Sequence, residues 1–485
     1  MIMVLALILI PAVIGAGAFF VRNDPLRRVL LVATAVTHAG LTVACWVWRP
    51  GAAAGGWLAL DAAGLLFLSI TSALFLVTTA YAVPYLRREH DHVTRDAVEG
   101  FLFSNAPEAT FTGCLLLFLA AMTLVTVSQH VGLLWVAVEA TTLASAPLIY
   151  FHRHHRSLEA VWKYLLICSV GIALALLGNF FLAVAAGPTP LVFSELVARS
   201  GQLNVPWLKA AFLLVLVGYG TKMGLAPLHT WLPDAHSESP SVISALLSGA
   251  LLNCAFLGII RTQQVCAAAG LGDFSRTLLV GFGLVSMAVA AVFIVGQTDF
   301  KRMLAYSSIE HMGILALGVG LGGAGVFGAM LHAVNHSLTK AMLFLVAGNI
   351  LGAYGTKSTA DVRGVLRVLP VSGVLWVAGL LAITGSPPFG LFLSEFTILK
   401  AALDAGRTGV AVTYLALLAV IFIGMATIML RMAQGVSVRV EPRRESWTAI
   451  VPPAVLATVV LMLGVYLPGR LTQLLQETAR LLGHP

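Results

Sequence analysis

The sequence predicts an all-α integral membrane protein of about fourteen spans, and three observations support this class. Of the 485 residues, 59% are hydrophobic. Only 10% are charged, against about 25% in an ordinary soluble domain, so charges are too few to cover a water-exposed surface. The apolar residues fall into runs of roughly 20, the length that one helix needs to cross a bilayer. These observations exclude a soluble globular protein, a disordered chain and a fibre.

The predicted spans use up the chain and leave no room for a soluble domain, so residues 1–485 are expected to form one polytopic membrane domain. Each span is expected to be a helix, because lipid offers backbone groups no other partner. The first run lacks a basic region before it and is predicted to be a span rather than a cleaved signal peptide. The predicted segments are 2–21, 28–48, 58–86, 110–127, 131–151, 160–186, 207–228, 240–262, 275–296, 303–320, 325–354, 371–405, 410–434 and 447–467.

The basic residues of the loops predict the orientation of the chain. Most loop lysines and arginines follow odd-numbered spans, as Arg87, Arg88, Arg153 and Arg156 do. Loops rich in these residues stay on the cytoplasmic side of a membrane. With an even number of spans, both termini are then expected on the outer side. The short basic loops give no sign of nucleic-acid binding.

Two of the predicted helices are interrupted by proline. Pro227 lies in the seventh span and the pair Pro387–Pro388 in the twelfth. Proline removes a helical hydrogen bond and clashes with the preceding turn, so both helices should break inside the bilayer. Because five spans separate the breaks, we expect two inverted five-helix repeats, at 110–262 (spans 4–8) and 275–434 (spans 9–13). Broken helices at matching places in inverted halves are typical of a transport path.

Charged and histidine side chains lie inside the predicted spans, where a charge costs at least ~2.5–3.5 kcal/mol on insertion scales. In the eleventh span, His332, His336 and Lys340 follow one another at intervals of four residues, which places them on one stripe of the helix. A polar stripe in an apolar helix indicates a file for water or protons. The candidate residues for proton translocation are Glu139, Lys163, Lys222, His332, His336, Lys340, Glu395 and Lys400.

Purely structural roles stay open for several of these residues. Glu139 could pair with a basic side chain of a packed helix, and Lys222 could satisfy the carbonyls that the break sets free. Lys163 stands near the start of its span and could reach the membrane surface. Lys400 could pair with Asp404, four residues on.

The stretch between the seventh and eighth spans carries His229, Asp234, His236 and Glu238. We expect a loop at the membrane surface, with these side chains as a solvated channel mouth rather than a metal site. Haem is disfavoured, because no second helix offers a histidine to match those of the eleventh span. No cofactor and no metal are expected. The cysteines are scattered, which argues against a zinc or iron–sulfur site; they are Cys45, Cys114, Cys168, Cys254 and Cys266.

Several stretches resemble one known family. Residues 222–236, 299–309, 332–340 and 385–395 are similar to the antiporter-like proton-pumping subunits. These comprise subunits L, M and N of bacterial NADH:quinone oxidoreductase, subunits A and D of Mrp sodium/proton antiporters, and membrane subunits of group 4 hydrogenases. Within the family, residues 159–171 and 385–396 most resemble the hydrogenase-4 component F type.

The resemblance implies roles for individual residues along an axis across the bundle. Glu139 and Lys222 match the glutamate–lysine pair of the family, and Lys163 matches the lysine of its sixth span. His336 and Lys340 match the eleventh-span residues, and Glu395 matches a terminal carboxylate of the twelfth. One position departs from the pattern: Asn253 stands where related subunits carry a buried lysine. An amide can hold water but carries no charge at neutral pH.

The resemblance also implies a function. We expect a proton-translocating subunit of a membrane-bound redox complex in a bacterial inner membrane, without a redox centre of its own. Its expected partners are other membrane subunits and a peripheral iron–sulfur or nickel–iron arm, in a hetero-oligomer. Two alternatives stay open: an Mrp-type cation/proton antiporter and an ion-coupling subunit of a bicarbonate-uptake complex. The lysines and histidines inside the spans disfavour sodium, which prefers oxygen ligands.

Overall fold

The computed structural model describes residues 1–89, 94–95, 102–437 and 440–482, and almost all of these residues are helical. A short antiparallel pair, β1 (Thr94–Arg95) and β2 (Leu102–Phe103), lies between the third and fourth helices. The helices are α1 (Ile2–Ala18), α2 (Asp24–Val47), α3 (Ala62–Glu89), α4 (Glu108–Val127), α5 (Val131–Ile149), α6 (His155–Ala186), α7 (Phe193–Ala198), α8 (Val205–Met223), α9 (Trp231–Glu238), α10 (Ser241–Leu246), α11 (Leu252–Ala268), α12 (Gly272–Ile294), α13 (Phe300–Leu321), α14 (Ala324–Tyr354), α15 (Val365–Val368), α16 (Pro370–Ile383), α17 (Gly390–Asp404), α18 (Thr408–Ala433), α19 (Trp447–Val465) and α20 (Gly469–Leu481).

The predicted spans correspond to these helices. Among the described residues, 11 helices are long and apolar enough to cross a membrane. One of them joins α10 and α11 through a π-helical turn, Leu247–Leu251. The other predicted spans correspond to α1, to α8 with α9 and to α16 with α17. The all-α, multi-pass membrane class is therefore confirmed.

Both predicted breaks are present. After α8, Gly224 has a left-handed backbone (φ 85°), and its N–H bonds back to the last turn of the helix. The indole N–H of Trp231 at the start of α9 donates to the freed carbonyl of Thr221 at 2.9 Å. After α16, Gly385 has φ 63°, and α17 begins at Gly390. Side-chain and backbone donors thus replace part of the helical hydrogen bonding that each break removes.

Two long helices lie beside the breaks. The 32-residue α6 packs against α8 and α9, and the 31-residue α14 packs against α16 and α17. Nearly all of α14 between Gly325 and Ala347 is buried. Polar side chains of α14 therefore face protein rather than lipid.

The helix α19 covers the second break closely. A Cβ atom at Gly464 of α19 would collide with the carbonyl oxygen of Pro388. Glycine at this position lets the backbone of α19 lie directly against the irregular segment. Non-helical backbone inside a membrane survives only where protein or a wet cavity covers it, and α19 supplies part of that cover.

The helix α20 was not predicted from the sequence. It is short and mostly polar, and it buries Leu474, Leu475 and Ala479 on one face. Its Glu477 pairs with Arg49, with Oε2 and Nη2 2.7 Å apart. A search for long apolar runs passes over such an amphipathic helix.

Candidate functional site

A buried lysine lies at the last turn of α8, just before the first break. The Nζ atom of Lys222 donates to Tyr164 Oη at 2.6 Å and to Thr142 Oγ1 at 2.8 Å. It also lies 4.5 Å from the centroid of the Tyr164 ring. The side chain is fully buried. Three helices, α5, α6 and α8, therefore hold this amine in a pocket of hydroxyl groups.

Glu139 of α5 joins this pocket through Thr142. The Thr142 hydroxyl donates to Glu139 Oε2 at 3.1 Å, one helical turn away. Because Thr142 Oγ1 also accepts from Lys222 Nζ, the carboxylate, the hydroxyl and the amine form a continuous hydrogen-bonded line. We call Glu139, Thr142, Tyr164 and Lys222 the lysine cluster. Thr142 and Tyr164 were not identified from the sequence, since a hydroxyl in a membrane helix is common and carries no charge to mark it.

Lys163 lies outside the lysine cluster. Its Nζ atom contacts Glu159 at 2.6 Å and Asp234 at 2.9 Å, and 45% of its side chain is exposed. The next residue, Tyr164, turns inward instead, since one residue rotates a helix by about 100°. This placement matches the alternative in which Lys163 reaches toward the surface.

The stretch that was predicted to be a surface loop is largely helical, so the expectation of a loop is wrong. Its role as a channel mouth stays a prediction. Asp234, His236 and Glu238 lie on α9, and His229 precedes it. His236 is fully buried and stacks on Phe344 at 5.1 Å. The reason is the position of Pro233, which stands in the first turn of α9, where a missing N–H breaks no helical bond.

The two acidic residues of α9 bind lysines and an arginine. Asp234 accepts from Lys163 and from Arg302 of α13. Glu238 accepts from Lys357 at 2.7 Å. Lys301 donates to the carbonyls of Ser237 at 3.1 Å and Ser239 at 2.5 Å, at the C-terminal end of α9. Cations there offset the negative end of the helix dipole, so this network fixes α9 against α13 and the α14–α15 loop.

A histidine beside this network is held neutral. His152, in the turn between α5 and α6, contacts Asn105 at 2.8 Å and Tyr85 at 3.1 Å. Burial lowers the pKa of His152 to about 3, and the positive charges of Lys301 and Lys357 add to the effect. This imidazole therefore accepts no proton near neutral pH.

Asn253 lies in the bundle centre, after the π-helical turn. Its Nδ2 donates to Gly249 O at 2.9 Å and to Ser337 Oγ of α14 at 2.8 Å. Its Oδ1 is buried and has no hydrogen-bond partner among the described residues. Asn253 thus links α11 to α14, at the helix position where the resemblance implies a lysine.

Lys340, three residues after Ser337 on α14, is fully buried. Its Nζ donates to the carbonyl of Leu304 in α13 at 2.6 Å. Close by, the hydroxyls of Ser248 and Ser308 are 2.8 Å apart. The centre of the bundle therefore holds a buried amine among serine hydroxyls and a backbone carbonyl.

The structure adds Glu310 and His311 of α13 to the candidate site, so the expectation that no second helix offers a histidine to match those of the eleventh span is wrong. His311 Nδ1 lies 2.9 Å from His332 Nε2, and its ring centroid is 5.0 Å from that of His336. His311 Nε2 lies 4.0 Å from Glu310 Oε2. Both residues are buried in mid-span, so the argument that identified Glu139 also applied to them, but the sequence analysis passed over this pair.

The Ser394 hydroxyl determines which ring nitrogen of His332 carries the proton. Its hydroxyl donates to Leu391 O at 2.8 Å, so its oxygen accepts from His332 Nδ1 at 3.0 Å. His332 Nε2 then bears a lone pair and accepts from the Nδ1–H of His311. Serine, His332 and His311 therefore form an ordered hydrogen-bonded chain across α17, α14 and α13.

Glu395 completes this group on α17. It is buried, and its Oε1 atom has no partner among the described residues. A Cβ at Gly385 would collide with its carboxylate, so the second break makes room for this side chain. His311, His332 and Glu395 present ligand atoms that all lie within 4.8 Å of one another. We call Glu310, His311, His332, His336 and Glu395 the histidine cluster.

Lys400 does not belong to either cluster. Its Nζ binds Asp404 at 2.5 Å, and 63% of its side chain is exposed. The i,i+4 pairing with Asp404 that the sequence left open is thus present. Glu395 and Lys400 lie on different sides of α17, because five residues advance a helix by about 140° beyond one full turn.

The sequence of this chain matches a known family and known relatives. Residues 128–423 match the family described as NADH:quinone oxidoreductase/Mrp antiporter, TM. The hydrogenase-4 component F homolog of Methylacidiphilum infernorum is 35% identical over 440 residues, which cover 88% of this chain and 89% of that protein.

Two solved structures share the fold. A subunit of the membrane-bound sulfane sulfur reductase, an archaeal respiratory membrane complex, superposes with a TM-score of 0.86 over 99% of this chain and 98% of that one, at 21% identity. A subunit of the Mrp complex of Dietzia sp. DQ12-45-1b gives 0.84 at 22% identity, over 99% and 97% of the two chains. By its sequence match, the chain belongs to the NADH:quinone oxidoreductase/Mrp antiporter transmembrane family.

Proposed function

We propose that this chain is a proton-translocating subunit of a membrane-bound redox complex of the hydrogenase-4 and NADH:quinone oxidoreductase type. The observation that carries the proposal is the series of polar side chains inside the bundle that extends from the lysine cluster through Asn253 and Lys340 to the histidine cluster. Buried ionisable groups are costly in a membrane and mark ion and proton paths. The hydrogenase-4 name of the relative supports a redox complex as the source of energy.

Proton transfer starts, in this proposal, at Glu139. The carboxylate stabilises a protonated Lys222 through the Thr142 hydroxyl. Glu139 is only partly buried, and Val136 and Leu143 on the same helix are 50% and 63% exposed. A neighbouring subunit can therefore reach this face of α5. Neutralising Glu139 from outside would remove the charge that holds the proton on Lys222, which then passes it on.

The middle of the path depends on water. Asn253 cannot take up a proton, but its free Oδ1 and the nearby Ser337 hydroxyl can hold water molecules. Lys340 is the titratable group beyond them. We propose that a proton moves from Lys222 to Lys340 along water bound at these oxygens.

The histidine cluster forms the far end of the path. The His311–His332–Ser394 chain lies between Lys340 and Glu395 on adjoining helices. Each imidazole can take a proton on one nitrogen and release another from the second. Lys163 and Lys400 are left out of the path, because both are ion-paired and substantially exposed.

The proposal extends to the architecture of the path. We propose that residues 110–262 and 275–434 are inverted repeats, since α5, α6 and the broken α8–α9 recur in order as α13, α14 and the broken α16–α17. The lysine cluster would then belong to the first repeat and the histidine cluster mainly to the second. Equivalent sites in two repeats allow one to load while the other releases.

The partners follow from the same reasoning. The relatives that share the fold are subunits of membrane complexes, which supports partner subunits as the source of energy. We propose a hetero-oligomer with further membrane subunits and a peripheral arm of the iron–sulfur or nickel–iron type. The basic loops support a bacterial inner membrane with both termini on the outer side.

The decisive experiment replaces Glu139 by glutamine in the intact complex, reconstituted in sealed vesicles. Glutamine keeps the shape and removes the charge that stabilises protonated Lys222. We expect proton pumping to be lost while electron transfer continues at least in part. The matched control is E477Q on α20, which alters a half-exposed carboxylate paired with Arg49. Normal pumping by E139Q would refute the proposal.

The same vesicles distinguish the other candidate functions. A pH gradient that depends on added Na⁺ and appears without an electron donor would indicate an Mrp-type antiporter instead. Co-purification of the native assembly with a soluble carbonic-anhydrase-like partner would indicate bicarbonate uptake. A nickel–iron-type large subunit in that assembly would support the redox complex.

A further inference from the structure

We propose that the histidine cluster also binds a divalent transition-metal ion of the Zn²⁺ class, with His311, His332 and Glu395 as its ligands. The three side chains come from α13, α14 and α17 and are all buried. One ligand atom from each lies within 4.8 Å of the others. Two imidazoles and one carboxylate form a ligand set that Zn²⁺ prefers, with the fourth position left for water.

The geometry needs only a small adjustment. Zn–N and Zn–O distances of about 2.0–2.2 Å place tetrahedral ligand atoms roughly 3.3–3.6 Å apart. The widest separation, at most 4.8 Å, must therefore shrink by up to about 1.2–1.5 Å. Glu395 can supply this movement, because its Oε1 atom is held by no described residue. The 2.9 Å between His311 Nδ1 and His332 Nε2 must widen by about 0.4–0.7 Å.

The hydrogen bonds around the histidines suit metal binding. His332 donates Nδ1–H to Ser394, which leaves Nε2 free to ligate. His311 must shift its own proton from Nδ1 to Nε2, and Glu310 Oε2, now 4.0 Å away, must move closer to accept a hydrogen bond from it. Binding then moves one proton within one ring and releases none from the two histidines. Metal-bound histidines usually have such a partner on the second nitrogen.

Two buried carboxyl groups are available to offset the charge of the ion. When both are ionised, Glu395 and Glu310 supply two negative charges, which together offset the two positive charges of the metal ion. A buried cation without such compensation would be costly. Lys340 contributes a positive charge on α14 and is the group that opposes metal binding, unless it is deprotonated.

Metal binding has a consequence that rests on the proposed function. The ion would occupy the contact between His311 and His332 and use the lone pairs that a proton transfer needs. Zn²⁺ that reaches the cluster along the proposed water path would therefore stop proton transfer. Electron transfer in partner subunits would continue only to the extent that it does not require proton transfer through this chain.

The test measures Zn²⁺ binding to the intact purified complex by equilibrium dialysis and metal analysis. H332Q and H311Q should each bind one Zn²⁺ fewer than the wild-type complex. The matched control is H38Q, since His38 is also buried but contacts the hydroxyls of Ser72 and Thr123 at 2.9 and 3.0 Å, away from the cluster. H38Q should bind as much Zn²⁺ as the wild type, and excess Mg²⁺ should not compete.

A milder variant covers the case in which H332Q or H311Q fails to assemble. S394A removes only the hydroxyl that orients His332, and loss of such a partner weakens metal binding about 10- to 100-fold. Unchanged Zn²⁺ affinity in S394A, or equal Zn²⁺ content in H332Q and H38Q, would overturn the assignment of the site.

Pumping assays separate this inference from the proposed function. Zn²⁺ should inhibit proton pumping in the wild-type vesicles, and S394A should need about 10- to 100-fold more Zn²⁺ for the same inhibition. If the wild-type complex does not pump at all, the proposed function fails, and dialysis alone still decides the metal site. Zn²⁺ bound at the cluster without any inhibition would overturn the proposed block.

Discussion

Replacing Thr142 by valine tests the connection inside the lysine cluster. Valine keeps nearly the same shape but removes the hydroxyl that accepts from Lys222 and donates to Glu139. A hydrogen bond to a charged group contributes about 1.5–3 kcal/mol, and each 1.4 kcal/mol changes an equilibrium tenfold. We therefore expect protonated Lys222 to lose about 1.5–3 kcal/mol of stabilisation, and pumping to slow by up to about 10- to 100-fold.

The assay compares pumping per electron transferred in vesicles that contain the wild-type, T142V or T142S complex. T142S restores the hydroxyl and should recover most of the pumping, which a defect in packing alone would not allow. Tyr164 still binds the lysine in T142V, so assembly of the complex should be unaffected. Wild-type pumping by T142V would show that Glu139 and Lys222 do not communicate through this hydroxyl.

Two further changes probe the exposed lysine and the packing of α19. K400A should leave pumping within about twofold of the wild type, because an exposed i,i+4 pair contributes only ~0.3–0.5 kcal/mol. K340M, measured in the same vesicles, should abolish pumping. Equal loss of pumping in both variants would contradict the placement of Lys400 outside the path. G464A should lower the thermal unfolding midpoint of the complex, because overpacking costs about 1–3 kcal/mol or more. The control G17A, where an added Cβ meets nothing within 4 Å, should leave the midpoint unchanged. Equal midpoints for the two variants would contradict the close contact between Gly464 and Pro388.

The broken helices could be predicted from the sequence because their cause is local. Pro227 and Pro388 remove hydrogen bonds from their own helices, whatever packs against them. Buried charges such as Lys222 and Lys340 were also predictable, since an apolar flank on both sides is visible in the sequence. These features depend on residue type and position along the chain alone.

Which way a side chain faces could not be predicted at the helix ends. The predicted sixth span begins at residue 160, whereas α6 begins at His155. Residues in the first turn of a helix can face protein or the membrane surface, and the choice depends on how the helix packs. For Lys163 the resemblance implied a role in the path while the surface stayed open, and Tyr164 is the residue that faces Lys222. Uncertainty about helix boundaries also concealed that Pro233 begins a helix rather than a loop.

The partners of a buried group could not be predicted either. Thr142 and Ser394 each connect charged or titratable residues on different helices, and such meetings depend on how α5, α14 and α17 pack. His311 was different, because its position beside Glu310 in mid-span was visible and was overlooked. Inspecting every span for ionisable residues would have found it.

The π-helical turn at Leu247–Leu251 affects how this chain is compared with its relatives. Such a turn closes its hydrogen bonds over one more residue than an α-helical turn, so it accommodates one inserted residue without disturbing either flank. Deleting one residue there would rotate Asn253 by about 100° away from Ser337. An alignment drawn without a gap in this segment would consequently pair residues that face different neighbours. The spatial counterpart of Asn253 in a relative without this turn is therefore found once a one-residue gap is placed within Leu247–Leu251.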